Sequence, residues 1–128
     1  VIVAVIMLVV SQFDHLGDPA PQWLDCPYGQ QLVATQCSGD PVLMDQRSAQ
    51  QFALEQAVAD QLNWRLATAN ELKRYPRERL LTSDYQLLSS EHIAHGNEFM
   101  VITLNPQTGK LEYQPLHYRG LFVLIRDQ

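Results

Sequence analysis

No run of about 20 apolar residues, the length a helix needs to cross a bilayer, occurs in this chain; the longest unbroken apolar stretch is Val1–Val10. Positive charge is also scarce. Nine Lys and Arg stand against 14 Asp and Glu, giving a formal net charge of -5. Without a basic stripe there is nothing to meet a polyphosphate backbone, so nucleic acid is excluded as a partner. The densest cationic group, Lys73, Arg74, Arg77 and Arg79, is interrupted by Pro76 and Glu78 and reads as a solvated face. No G-x-S-x-G occurs, and neither cysteine has a credible histidine partner, which removes the common routes to nucleophilic catalysis. Internal repeats and low-complexity tracts are absent as well. What remains is one domain: 128 residues, 46% of them apolar, suffice for a single core.

The apolar start is the first positive signal. Val1–Val10 carries no polar side chain, and three readings of it stay open. It is the trailing part of a signal peptide or membrane anchor, a helix embedded among partner helices, or a buried strand favoured by its many β-branched residues. The change at Ser11 to a polar, Pro-rich stretch over Asp14 to Gln22 resembles a membrane-proximal linker. The chain thus divides into an anchor-like segment over 1–12 and a domain over 13–128. Cys26 and Cys37 lie in a loop-like region rich in Pro, Gly and Gln. A disulfide there closes a short loop and stabilises it by about 2–3 kcal/mol in the chain-entropy model. The apolar N-terminus points to export, and hence to the oxidised pair.

Periodicity supplies an element order. Residues 11–45 are punctuated by Gly and Pro and read as loops around short strands near Gln22–Leu24 and Gln31–Thr35. Ser48 and Gln51 have capping-box spacing and open a helix to about Leu62, with Ala49, Phe52, Ala53 and Ala57 on one face and Asn63 as its stop. Trp64-Arg65-Leu66 reads as a buried strand or corner running into a second helix over Ala69 to Tyr75. Thr68 and Glu71 form that helix's capping box, and Pro76 ends it. In a strand, Arg65 points opposite to Trp64 and Leu66. Its buried guanidinium needs several acceptors, expected among backbone carbonyls or a carboxylate of the loop region. Gln86–Ser90 and Glu98–Leu104 read as strands, and Lys110–Gln114 as the hairpin partner of the latter across Asn105–Gly109. Leu121–Ile125 is continuously apolar, as for a central strand buried on both faces. Helices followed by an antiparallel sheet define the class α+β, two helices on a small sheet.

Trp64-Arg65-Leu66-Ala67-Thr68-Ala69-Asn70-Glu71-Leu72 resembles the W-R-L-P-T-x-x-E-L motif of the bacterial DUF1566 domain, found in exported proteins of Gram-negative bacteria. Trp23-Leu24-Asp25-Cys26-Pro27-Tyr28-Gly29-Gln30 with Cys37-Ser38-Gly39 is similar to that family's W-x-x-C-P-x-G-Q…C-x-G segment. Leu88-Ser89-Ser90 and Leu121–Arg126 resemble its S-S strand and final strand. The likeness spans roughly Gln22 to Asp127. Ala67 replaces the usual Pro, the final strand lacks its central Cys, and the acidic Gly-rich first strand is shortened to Phe13–Asp18, as in a trimmed and divergent member. The resemblance implies a C-type-lectin-like fold in an exported protein used for binding rather than catalysis. The fold is shared with formylglycine-generating enzymes, but their paired active-site cysteines have no match here.

Candidate sites follow from this frame. His92 and His95, flanked by Glu91 and Glu98, have ligand-like spacing, but Gly96 and Asn97 make the stretch a turn and no third His or Cys lies nearby, so they read as exposed loop histidines. The Glu-Pro-Asn or Gln-Pro-Asp triplet of lectin-like calcium sites is missing. No metal or other cofactor is therefore expected. Tyr28, Tyr75, Tyr85, Tyr113 and Tyr118 lie outside the expected core. The loops carrying Tyr85 and His117-Tyr118-Arg119 are the candidate binding surface. The expectation is a non-catalytic recognition or adhesion module of the periplasm or cell surface. It would be membrane-associated through residues 1–10 and bind a protein or a glycan. The alternative is a structural subunit of an envelope assembly or appendage, with Val1–Val10 packed against partners.

Overall fold

The computed structural model of the protein describes residues 22–127. The readings of Val1–Val10, of the linker and of Phe13–Asp18 lie outside the described residues. The elements are β1 (Gln22–Trp23), β2 (Gln31–Val33), β3 (Gln36–Ser38), α1 (Gln46–Asp60), β4 (Trp64–Leu66), α2 (Ala69–Leu72), a 3₁₀ turn (Arg77–Leu80), β5 (Leu87–His95), β6 (Glu98–Leu104), β7 (Leu111–Pro115) and β8 (Leu124–Arg126). All named strand pairs are antiparallel. They form a three-stranded sheet β1-β8-β4, a β2-β3 hairpin and a three-stranded sheet β5-β6-β7. The mixed α/β class with antiparallel sheets agrees with the pattern in the sequence.

Leu121–Ile125, expected as one strand, enters β8 only at Leu124, and the whole run joins these pieces. Every residue in it is buried, and the side chains alternate between two cores. Leu121, Val123 and Ile125 face one with Leu72, Tyr75, Leu80, Leu87 and Leu104. Phe122 and Leu124 face the other with Ala49, Ala53, Leu66, Leu88 and Val101. The period of two along an extended chain makes this division. Leu88 N–H donates to the Leu121 carbonyl at 2.8 Å and Leu121 N–H to that of Gln86 at 2.9 Å, which stitches the second sheet to the same run.

Helix α1 begins at Gln46, two residues before Ser48. Asp45 is its N-cap: the backbone is extended there (φ -75°, ψ 169°) and the carboxylate accepts from Ser48 N–H at 2.8 Å. The helix ends at Gln61, which turns left-handed (φ 59°) and returns its N–H to Ala57. Ala49 and Ala53 are the small residues that let α1 sit directly on β4. Leu54 and Val58 on its other face are 60% and 80% exposed.

The Trp64–Glu71 joint forms with both halves of the capping box in place. Glu71 N–H donates to Thr68 Oγ1 at 3.2 Å and Thr68 N–H to Glu71 Oε1 at 2.9 Å. Arg65 bonds Glu71 twice, at 2.7 and 2.9 Å, and reaches Asp127 at 2.9 Å and the Leu66 carbonyl at 3.2 Å. Two expectations change here. The Arg65 side chain is 35% exposed rather than buried, because β4 is an edge strand. Its carboxylates come from α2 and from the end of the chain, not from the loop region. Trp64 is anchored by Nε1–H donating to Asp60 at 3.0 Å, with Arg126 5.5 Å above its ring.

Cys26 and Cys37 are bonded, with Cα atoms 5.6 Å apart. Tyr75, expected outside the core, is 3% exposed. It lies under this loop with its hydroxyl donating to the Asp25 carbonyl at 2.7 Å, and burial pushes that hydroxyl's pKa up to about 12. The second helix stops at Leu72, short of Tyr75. The cationic cluster is not simply a solvated face. Arg79 donates to the Asp25 carbonyl at 3.0 Å, and Arg77 to the Pro106 and Gln107 carbonyls at 3.2 and 3.0 Å. Both therefore act as staples between loops.

Candidate functional site

Three segments far apart in sequence build a cleft beside the start of α1. Met44 and Gly120 pair backbone to backbone, N–H to carbonyl at 3.3 and 3.0 Å. This pairing holds the 116–120 loop against the entry to α1. Gly120 is required there: a Cβ would lie 2.6 Å from the Gln86 carbonyl oxygen and 2.8 Å from the Tyr118 ring. The third segment is β5. Its register against β6 slips between Leu88 and His92, a bulge that re-aims the strand's far half.

Gln46 holds that bulge. Its side chain is buried, 5% exposed, and Nε2 donates to the Ser89 and Glu91 carbonyls at 2.7 and 2.8 Å. Ser89 Oγ donates to the Ile102 carbonyl at 2.7 Å and accepts from Glu91 N–H at 3.1 Å. Glu91 turns back to accept Ala69 N–H at 2.7 Å, so its carboxylate supports the first turn of α2. Past this framework His92 emerges exposed, with the Phe99 ring 6.0 Å away in an edge arrangement.

The cleft, about 510 Å³, is lined by Asp45, Gln46, Arg47, Gln50, His92, Phe99, Leu116 and His117. Its apolar floor is Phe99 and Leu116, 58% and 45% exposed. Arg47, His92 and His117 stand around them, all exposed. Asp45 is the cleft's carboxylate among the described residues. It is held below the usual carboxylate range, first by the bond from Ser48 N–H and then by Arg119 and Arg47 nearby. Apolar floor and convergent polar rim are the ordinary make-up of a binding pocket.

The sequence-predicted surface is divided by the fold. His117 lines this cleft, and Arg119 sits at its edge, donating to the Leu43 carbonyl at 3.0 Å. Tyr118 is half-buried, its hydroxyl accepting Gln86 N–H at 3.0 Å, which makes it a strut. Tyr85 lies elsewhere, in a polar cleft of about 420 Å³ with Ser83, Asp84, Asn105 and Gln107. His92 and His95 belong to β5 rather than to a loop, because the strand runs on past the bulge to the turn at Gly96. Sequence reading missed Asp45, Gln46, Arg47, Phe99 and Leu116. A signal for one of them was present: Phe99 is a large apolar residue opposite Ala94 at the hairpin's outer end, beyond the reach of the core. Among the described residues no three His, Cys, Asp or Glu side chains converge as metal ligands, and no helix is long and apolar enough to cross a membrane.

The fold is similar to that of botrocetin. Its crystal structure matches with a TM-score of 0.54 at 16% sequence identity, covering 81% of this chain and 100% of that one. The architecture is C-type-lectin-like. No protein-family model matches the chain, and no curated protein does.

Proposed function

We propose that this protein is a non-catalytic recognition module of the DUF1566 type, exported and tethered at the cell envelope through residues 1–10, which binds a protein or glycan partner in the Phe99–Leu116 cleft. The cleft itself carries this reading: two large exposed apolar side chains on a hydrogen-bonded framework, with exposed Arg47, His92 and His117 beside them. The lectin-like architecture supports a binding role. The Cys26–Cys37 bond supports an oxidising compartment, and the W-R-L…T-x-x-E-L joint supports the family assignment. Site-specific photo-crosslinking of the full chain in intact cells tests the role. A group placed at position 117 should capture a discrete partner that a group at position 85 does not. Equal capture at both, or none at either, refutes the cleft as the recognition surface.

The exposed Leu54 and Val58 on α1 favour a second reading, a subunit of an envelope assembly. A multisubunit particle that dissociates on replacing both with Gln would establish it. A monodisperse wild-type monomer would remove it.

A further inference from the structure

The cleft's polar groups are not balanced between donors and acceptors. Gln50 Nε2 is turned to the Ser90 carbonyl and Gln46 Nε2 to the bulge. Asp45, the one lining carboxylate, is occupied in capping α1 and lies near both Arg47 and Arg119. The ion pairs of the described residues belong to Arg65, and Arg47 makes none. The charged side chain left to meet a ligand is thus the Arg47 guanidinium, with the imidazoles of His92 and His117 and the Gln50 Oε1 acceptor beside it around an apolar floor. This exposed guanidinium beside an apolar floor sits on a chain of net charge -5.

We propose that the cleft takes a partner segment presenting a carboxylate beside an apolar or aromatic side chain, as in an acidic peptide, with the apolar group on Phe99 and Leu116 and the carboxylate among Arg47, His92 and His117. The assignment rests on the binding role proposed above and names its ligand class. A guanidinium and a carboxylate can pair through parallel N–H···O bonds, which gives orientation as well as attraction. The floor supplies the area removed from water. A neutral sugar would gain no ion pair with Arg47.

Small probes of matched shape separate these terms. The full chain, labelled for NMR, is titrated with 4-phenylbutyrate, 4-phenylbutanol, 4-phenylbutylamine and methyl α-mannoside. The expected result is shifts at Phe99, Leu116, His92 and His117, with the carboxylate binding about three- to fivefold tighter than the alcohol, the advantage of one exposed ion pair, and the amine weakest. In Arg47→Gln, with its other resonances unmoved, the carboxylate's advantage over the alcohol should shrink toward unity. In Phe99→Ala all three aryl probes should weaken together. Equal affinity for carboxylate and alcohol, or tighter binding of the amine or the mannoside, overturns the anionic class while leaving a binding cleft in place. No shift in the cleft with any probe overturns the cleft's binding role as well.

Discussion

Glu71→Gln isolates the ionic part of the joint between β4 and α2. Gln is the other residue that serves at this position of a capping box, so the acceptor for Thr68 N–H is kept. What is lost is the charge facing Arg65 at 2.7 Å. That guanidinium, first among the causes, holds the Glu71 carboxyl at about 2, against an ordinary 4.5. A fall of that size is worth about 3 kcal/mol at most. Arg65 is 35% exposed, and solvent screening reduces the figure to about 1–2 kcal/mol. The sign follows from the depressed value. The stabilisation is fully present above pH 4.5 and is lost as pH falls toward 2. Urea unfolding of the oxidised protein, followed by tryptophan fluorescence at a series of pH values, gives the test. Wild type should exceed Glu71→Gln by about 1–2 kcal/mol at neutral pH, and the two curves should meet as the Glu71 carboxyl protonates. Carboxylates outside the Arg65 network titrate alike in both proteins and cancel in the difference; Asp127, which shares Arg65, does not. A gap that is absent, or that stays constant down to pH 2, refutes the role assigned to this pair.

Further substitutions probe separate links. Arg65→Met removes the hub of the same network and should lower the thermal midpoint clearly; an unchanged midpoint excludes its role. Gly120→Ala should cost more than about 1 kcal/mol in urea unfolding, because the Gln86 carbonyl 2.6 Å from the new Cβ is backbone and cannot step aside. Ala34 sits at φ 57° between β2 and β3, so Ala34→Gly should stabilise by about 1 kcal/mol; a loss would contradict the strain argument. Replacing Cys26 and Cys37 by Ser frees a loop of sequence separation 11 and should lower stability by about 3 kcal/mol relative to the oxidised protein.

The parts legible in the sequence are those fixed by neighbours along the chain. The Thr68–Glu71 box, the Glu98–Pro115 hairpin and the twice-buried Leu121–Ile125 run each declare themselves through local spacing. The start of α1, expected at Ser48, is displaced for a local reason: Asp45 is an equally good cap residue, and the extended backbone at Asp45 decides. The remaining misses are non-local. Tyr75 follows Lys73 and Arg74 and looks exposed until the disulfide loop folds over it. The outer half of β5 looks like a turn until Gln46, 43 residues from Ser89, pins the bulge. The cleft arises only when α1, β5, β6 and the 116–120 loop meet, and that meeting gathers His92 with His117 while leaving Tyr85 in another cleft.

Binding of the wild-type chain and of Phe99→Asp to parallel arrays of acidic, neutral and basic peptides and of glycans tests the recognition role most directly. Phe99 is 58% exposed, so the variant should unfold at the same midpoint as the wild type. Wild-type binding should be saturable and strongest on acidic peptides with an aromatic or aliphatic anchor, and it should be lost in Phe99→Asp. Binding of the same partners by both proteins with equal strength would contradict that role.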